Sequence, residues 1–196
     1  MEITENKNKK TFKRLVSKGV FPYQWAFTLL IPLRNIFLSP RELVKRLELK
    51  GEMTVMELGP GPRYFSKKVA KELFAGKLVL ADIQQEMLDY AKKRLSKKKV
   101  TNVEYYLCNG NNFEFTDEMF DRIYMITVIG EVENKDSYCK EFYRMLKKGG
   151  ILSISEQAGD PDKLSISETE DLFESYGFTA YKLYGTQKNF TINFIK

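Results

Sequence analysis

Apolar and polar positions divide most of this chain into two kinds of segment that alternate along it. Short, nearly continuous apolar runs predict strands that are buried on both faces of a sheet. These runs cover residues 53–58, 77–82, 103–108, 120–129 and 151–156. Apolar residues recur at helical spacing in the intervening segments 63–75, 84–98 and 134–147. Because strands alternate with helices, the pattern predicts a parallel sheet covered on both faces, as in doubly wound α/β domains.

Both ends of this region carry further signals. Ser39-Pro40-Arg41-Glu42 has the pattern of a capping box with proline at the first helical position, and it predicts the start of a helix. Ser167 with Glu170 predicts another. Segments 178–185 and 189–196 have no helix between them and therefore predict an antiparallel hairpin. The predicted fold class is α/β, a doubly wound, mostly parallel seven-stranded sheet with a C-terminal antiparallel hairpin and a short N-terminal helical segment.

Residues 1–38 depart from this alternation. A basic arm at 7–18 precedes an apolar segment, 19–38, which two prolines interrupt. The segment is too broken for a membrane-spanning helix, and no small-residue cleavage site of a signal peptide follows it. We therefore expect short helices that pack on the domain or cover its site. The chain then divides into a basic arm with an apolar helical lid at 1–38 and an α/β domain at 39–196.

The amino-acid composition excludes several catalytic mechanisms. The chain has 196 residues, a formal net charge of +6 and no histidine, which excludes a Ser-His-Asp triad and any histidine base. Cys108 and Cys139 have no ligand-spaced partners, so we expect no metal site and a reducing, cytoplasmic compartment. The positive charge lies in runs at 7–18 and 92–99. These runs favour a solvated surface, with a nucleic-acid partner possible but less favoured.

A glycine turn follows the first predicted strand, in the stretch VMELGPGPRYFS at 55–66. Gly59 and Gly61 allow a sharp turn and the close approach of a ligand, and the next helix offers free N–H groups. A dinucleotide fingerprint would need a third glycine where Tyr64 stands, so pyrophosphate binding is disfavoured. Asp82 ends the second strand, where a carboxylate can accept both ribose hydroxyls. A dinucleotide and an adenosyl ligand share this last feature.

Five segments together resemble the class I S-adenosylmethionine-dependent methyltransferases, over roughly residues 40–196. VMELGPGPR resembles the acid-x-Gly-x-Gly motif of that family, and LVLADI resembles its ribose-binding strand. LCNGNNFEF is similar to the segment that meets the adenine amino group. FDRIYMITVIGEV and EFYRMLKKGGILSISE resemble the fourth strand and the passage after it. The chain is most similar to small stand-alone members that methylate quinones and other small molecules.

The resemblance implies S-adenosyl-L-methionine as cofactor and places its contacts at the carboxyl ends of the strands. The implied cofactor-binding residues are Glu57, Gly59, Pro60, Gly61, Arg63, Asp82, Ile83, Asn109, Gly110 and Thr127. Two of them depart from the family pattern. Arg63 replaces a usual glycine and either points to solvent, contacts the methionine carboxylate or obstructs the site. Asn109 replaces an aspartate but keeps a carbonyl acceptor.

Methyl transfer from a sulfonium needs alignment and exclusion of water more than it needs a metal or a nucleophile. If the acceptor carries a proton, Glu131 is the first candidate for a catalytic base and Glu133 the second, and either can instead be a surface carboxylate. We expect a methyltransferase acting on a small molecule. The alternatives are an RNA or protein methyltransferase and a non-catalytic protein that binds the cofactor. Both a monomer and a homodimer remain open.

Overall fold

The computed structural model describes residues 38–61, 64–110 and 112–196. Five α-helices lie in this part of the chain: α1 (Pro40–Arg46), α2 (Ser66–Glu72), α3 (Gln85–Ser96), α4 (Lys135–Met145) and α5 (Ile166–Glu174). Its strands are β1 (Thr54–Leu58), β2 (Lys77–Asp82), β3 (Val103–Leu107), β4 (Phe120–Ile126), β5 (Leu146–Glu156), β6 (Thr179–Thr186) and β7 (Asn189–Ile195). A single 3₁₀ turn, Ile129–Glu131, follows β4.

The seven strands form one sheet in the order β3-β2-β1-β4-β5-β7-β6. Strands β1 to β5 pair in parallel, whereas β7 is antiparallel to both β5 and β6. The predicted fold class, including the C-terminal hairpin, is confirmed. Strand order reverses between β1 and β4, and ligands of open α/β sheets bind beside the carboxyl ends of strands at such a point.

Two apolar clusters cover the two faces of the sheet. One cluster joins Met56, Ile123 and Leu152 to buried residues of α4 and α5. The other joins Val55, Leu78 and Tyr124 to buried residues of α1, α2 and α3. Because successive strand residues point to opposite faces, strands β1 to β4 supply side chains to both clusters. This accounts for the nearly continuous apolar runs in the sequence.

Several predicted boundaries shift. The fifth strand begins at Leu146 rather than at residue 151, and the fourth ends at Ile126 rather than at residue 129. The capping box of α5 is formed by Ser165 and Glu168, so its prediction at Ser167 and Glu170 is wrong. The first helix does begin at Pro40, as predicted, and Ser39 accepts the Glu42 N–H. The other half of the predicted capping box is replaced by a contact in which Arg46 donates to the Glu42 carboxylate.

The predicted arm and lid at 1–38 lie outside the described residues except for Leu38, which is buried. Within the described ranges, no helix is both long and apolar enough to cross a membrane.

Candidate functional site

Hydrogen bonds between strand ends bring the predicted site residues to one edge of the sheet. The Gly59 N–H donates to the Ala81 carbonyl at 2.8 Å, next to Asp82. The Cys108 N–H donates to the carbonyl of Asp82, also at 2.8 Å. The Thr127 N–H donates to the Ser155 carbonyl at 2.8 Å. The ladders thus continue just past the strands and hold the ends of β1, β2, β3, β4 and β5 side by side.

The glycine turn after β1 needs glycine for two separate reasons. Gly59 has φ of +62° and Gly61 has φ of +50°, a left-handed conformation that side chains disfavour. A Cβ on Gly59 would also lie 2.6 Å from Cγ2 of Val128, which follows β4. Pro60 is buried between them. Arg63 lies outside the described residues, so its predicted role stays a prediction.

Glu57 is a buried carboxylate beneath this turn, with only 3% of its surface exposed. Burial raises its pKa from 4.5 to about 7, and the nearby hydroxyls of Ser66 and Tyr124 lower it by a smaller amount. Among the described residues, Oε2 of Glu57 and both hydroxyls lack a hydrogen bond of good geometry. The three groups therefore form a polar pocket with unused hydrogen-bonding capacity inside an apolar layer.

Asp82 ends β2 with 7% of its surface exposed. Burial raises its pKa from 3.8 to about 6, while the N–H groups of Gln84 and Ile83 lower it by a smaller amount. The Gln84 N–H donates to Oδ1 at 3.0 Å. Ile83 and Leu107, which follow Asp82 and end β3, are about half exposed. The Asp82 carboxylate, a hydrogen-bond acceptor, thus lies beside the apolar side chains of Ile83 and Leu107. This combination suits a ligand in which a sugar is joined to a flat base.

The loop after β3 contains Asn109 and Gly110. The Asn109 amide donates to Oδ1 of Asn112 at 2.8 Å, and its carbonyl accepts the Asn112 N–H at 3.2 Å. These bonds hold the loop in a compact turn. Gly110 has φ of +86°, and a Cβ there would meet open space. The glycine is required by its backbone angle rather than by crowding.

Thr127 and Glu131 follow β4 at the same edge. Thr127 has φ of 54°, which is unusual for a β-branched residue and is a form of strain found at functional sites. Its hydroxyl donates to the Ile126 carbonyl at 2.7 Å. Glu131 is half-buried in the 3₁₀ turn. A Cβ on the neighbouring Gly130 would lie 1.9 Å from the Asp162 carbonyl oxygen, so this turn packs closely on the loop after β5.

The sequence did not single out Glu156, the last residue of β5. Its side chain is 1% exposed, and burial raises its pKa from 4.5 to about 8, with Asp160 and Glu131 adding smaller increases. Neither of its carboxylate oxygens has a hydrogen-bond partner among the described residues. A carboxylate at the end of a strand was the one available signal, but its burial depends on loops distant in sequence.

Neither cysteine has the properties of a nucleophile. Burial raises the pKa of Cys108 and of Cys139 to about 12, so both are neutral thiols near pH 7. Within the described ranges, no group of three or more carboxylates and thiols is arranged to hold a metal ion.

A surface pocket of about 600 Å³ lies at the other edge of the sheet, near the start of β4. It is lined by Asp117, Glu118, Lys140, Tyr143, Arg144 and Lys196. Arg144 pairs with Asp117 at 2.7 Å and with Glu141 at 2.8 Å. The pair with Asp117 ties α4 to the segment before β4, while the pair with Glu141 lies within α4, so we assign the pocket a structural role.

The groups at the carboxyl edge fit S-adenosylmethionine. At Gly59 there is no room for a Cβ, so the turn presents bare backbone to a ligand. Asp82 supplies a carboxylate for the two neighbouring ribose hydroxyls. Ile83 and Leu107 supply an apolar surface beside it. Glu57 adds unused acceptor capacity under the turn. The described residues thus contain acceptors and apolar surface of the kinds that an adenosyl ligand needs.

Comparison with known proteins gives a consistent result. Residues 49–189 match the family described as "Methyltransferase domain". The ubiquinone/menaquinone biosynthesis C-methyltransferase UbiE of Hydrogenovibrio crunogenus is 36% identical over 93 residues, which are 47% of this chain and 35% of that protein. The UbiE protein of Escherichia coli O1:K1 / APEC is 32% identical over 127 residues, 64% of this chain and 49% of that protein. The chain thus spans half or less of these curated relatives.

Among solved structures, a SAM-dependent methyltransferase from Aquifex aeolicus superposes with a TM-score of 0.84 at 23% identity. The match covers 90% of this chain and 99% of that one. At this identity, the likeness establishes that the two chains share a fold.

Proposed function

Because this chain belongs to the class I S-adenosylmethionine-dependent methyltransferases, we propose that it transfers the methyl group of S-adenosyl-L-methionine to a small-molecule acceptor. The observation that carries this proposal is the meeting of Gly59, Asp82 and Thr127 at the point where strand order reverses. A tight turn, a carboxylate and a strained residue come from three different strand ends and face one ligand site.

We assign the cofactor contacts as follows. The turn at Gly59, Pro60 and Gly61 admits the ligand against its backbone, and Glu57 beneath it is an acceptor for the amino group of the methionine part. Asp82 accepts the ribose hydroxyls. The remaining contacts, with the adenine and with the methionine end of the ligand, are assigned to Ile83, Asn109, Gly110, Thr127 and Arg63.

S-adenosylmethionine supplies a methyl group that the sulfonium charge has already activated. The chain's own residues need only hold the acceptor in line, exclude water and take up a proton where one is released. Glu131 is our candidate for that last role at the rim of the site, because it follows β4 and is half-buried. Residues 1–38 are proposed to cover the site, and residues 39–196 to form the catalytic domain.

Relatives named as quinone C-methyltransferases favour a small aromatic acceptor, although the chain spans only part of their length. The competing proposal is an RNA or protein acceptor. It is favoured by the net charge of +6 and by the exposed lysines Lys97, Lys98 and Lys99 after α3. These lysines lie beyond the end of a helix beside the sheet's β3 margin, away from Thr127 and Glu131. We further propose that the protein acts in the cytoplasm.

The acceptor class can be tested with methyl-labelled S-adenosylmethionine. The protein is incubated with separate small-molecule, RNA and protein fractions of a cell extract, and the label in each is counted. We expect label in the small-molecule fraction, and less of it with the Asp82→Asn variant at limiting S-adenosylmethionine. Label in RNA or protein alone would overturn the acceptor class, and label in no fraction would favour a non-catalytic binding protein.

A further inference from the structure

Glu156 lies at the carboxyl edge of the sheet, the edge that carries the proposed site. It ends β5, opposite Phe190 of β7. Because side chains alternate along a strand, it lies on the same face as Leu152 and Ile154. The neighbouring strand β4 ends at Ile126, and the chain runs on through Thr127 into the 3₁₀ turn at 129–131. Glu156 therefore lies one strand beyond β4, on the side of the cleft away from Asp82.

Its carboxyl group is buried without a partner, unlike the polar residue next to it. The Ser155 hydroxyl bonds the Thr191 hydroxyl at 2.7 Å, and Thr191 in turn accepts from Arg46 at 2.8 Å. Glu156 is 1% exposed, and both of its carboxylate oxygens lack a hydrogen bond within the described ranges. A buried carboxyl without partners destabilises a fold, so such a group calls for a functional explanation.

The charged groups around Glu156 come from two segments. Asp160 and Lys163 lie in the loop after β5, and Glu131 lies in the 3₁₀ turn after β4. The Lys163 ammonium lies 5.3 Å from the centre of the Phe190 ring. Burial, with a smaller contribution from Asp160, raises the pKa of Glu156 to about 8. A base of that strength is well matched to a phenolic hydroxyl, whose ordinary pKa is about 10.

The two segments that place charged groups near Glu156 are held in close contact. A Cβ on Gly130 would collide with the Asp162 carbonyl, and the Ala158 N–H donates to Oδ1 of Asn189 at 2.8 Å. Lys163 also donates to the Gln187 carbonyl. The loop after β5 is thus fastened both to the 3₁₀ turn and to the β6–β7 hairpin. The carboxyl group itself is 1% exposed and so is shielded from water, which strengthens its interaction with a ligand.

Building on the proposed function, we infer that Glu156 lines the acceptor subsite and accepts the proton that the acceptor loses, and that this acceptor is an aromatic compound with a free hydroxyl group. An ionised Glu156 needs a hydrogen-bond donor, which a hydroxyl group provides. A protonated amine is disfavoured because Lys163 already supplies a cation there.

The step balances without a further reactant. The acceptor forms a new bond to the methyl carbon, through its hydroxyl oxygen or a ring carbon activated by it. The bond between that carbon and the sulfonium sulfur breaks, and its electron pair stays on sulfur. The acceptor's proton moves to a carboxylate oxygen of Glu156 and passes to water when the product leaves.

Titration of the Glu156 carboxyl by NMR tests this inference in the full chain. The protein is prepared with ¹³C-carboxyl glutamate and S-adenosylhomocysteine, and the Glu156 resonance is identified by its absence from Glu156→Gln or, should that variant fail to fold, from Glu156→Asp. Hydroquinone is the probe, and 1,4-dimethoxybenzene, which has no hydroxyl proton, is its matched control. Glu174→Gln, which removes an exposed carboxylate at the end of α5, is the control variant.

We expect hydroquinone to lower the apparent pKa of Glu156, because its hydroxyl stabilises the ionised carboxylate, and dimethoxybenzene to leave it unchanged. Glu174→Gln should preserve the response. An unchanged pKa with hydroquinone, or equal shifts with both probes, would overturn the inference. Ethanolamine shifting the resonance in place of hydroquinone would also overturn it. Calorimetry with S-adenosylhomocysteine separates the two proposals. If S-adenosylhomocysteine binds but hydroquinone leaves the pKa of Glu156 unchanged, only this inference fails. If S-adenosylhomocysteine does not bind, the proposed function fails too.

Discussion

Three carboxyl groups at the ends of β1, β2 and β5 are buried, and burial raises the pKa of each. The values are about 7 for Glu57, about 6 for Asp82 and about 8 for Glu156. Charged or unpartnered carboxyls in such places reduce stability, and their clustering on one edge is typical of a site that binds or reacts. At the scale of single residues, a ligand that donates hydrogen bonds to these carboxyl groups would therefore offset the cost of burying them.

Replacing Glu156 by glutamine should stabilise the protein at alkaline pH. The folded protein holds the Glu156 proton more tightly than the unfolded chain does, so native stability falls as the pH rises from about 4.5 to about 8. Glutamine has no charge to bury, so its advantage grows through that range, by up to about 1.4 kcal/mol for each pH unit. Urea unfolding of both proteins from pH 4 to pH 9 measures this difference. A constant difference across the range would mean that Glu156 is solvated in the native state.

Cofactor affinity should depend on the ionisation of Asp82. Its carboxyl group accepts hydrogen bonds from hydroxyl groups more strongly when it is ionised, and its pKa is about 6 in the free protein. We expect affinity for S-adenosylhomocysteine to fall by up to about tenfold for each pH unit below that value. Asp82→Asn should lose this dependence while keeping any contributed by Glu57. If affinity depended on pH in the same way in both proteins, Asp82 would not contact the ligand.

The sequence indicated the candidate site residues that belong to local motifs and did not indicate the candidate that depends on distant contacts. Gly59 and Asp82 could be identified because a turn and a strand end carry their own signals. The burial of Glu156 could not, since the charged groups near it come from the loop after β5 and from the turn after β4, which tertiary packing brings together. The strain at Thr127 is likewise a property of the folded backbone.

At the scale of elements, the start of α5 shows how a local signal can be ambiguous. The stretch from Ser165 to Glu170 contains two overlapping Ser-x-x-Glu patterns. Ser165 has an extended backbone, φ −74° and ψ 169°, and forms the capping box with Glu168. Ile166 then packs against the apolar cluster beside α4 and α5. Packing of the first helical residue selects between two caps that local sequence alone leaves equivalent.

The two serines provide a matched test of this cap. Ser165→Ala removes the acceptor for the Glu168 N–H and should cost about 1 kcal/mol of unfolding free energy. Ser167→Ala, at an exposed position inside the first turn, should change stability by less than about 0.5 kcal/mol. Chemical denaturation measures both. The reverse ranking would restore the cap at Ser167.

The glycine turn can be tested against another glycine of similar backbone angle. Gly149 has φ of +71° with open space around a Cβ, so Gly149→Ala should cost roughly 1–2 kcal/mol for the angle alone. Gly59→Ala meets Val128 as well and should cost roughly 1–3 kcal/mol more. Equal unfolding free energies for the two variants would show that Val128 moves aside freely.

At the scale of the whole molecule, the order of strands and helices was the most predictable feature. Apolar runs separated by helical segments specify a parallel sheet, and the missing helix between the last two strands specifies the hairpin. Sheet order, with its reversal between β1 and β4, then determines which strand ends share an edge. The boundaries of β5 were less predictable, because Lys147–Gly150 extend a strand where the glycines indicate a turn.

The central claim is that this protein binds S-adenosylmethionine at the carboxyl edge of β1, β2 and β4. Calorimetric titration with that ligand into the native chain, Asp82→Asn and Asp89→Asn tests it most directly. Asp89 is an exposed residue of α3 that accepts from Gln85, and it controls for loss of a carboxylate near the site. We predict binding near micromolar affinity, weakened by roughly 1–3 kcal/mol in Asp82→Asn and unchanged in Asp89→Asn. No binding by the native chain, or equal binding by all three proteins, would contradict the account.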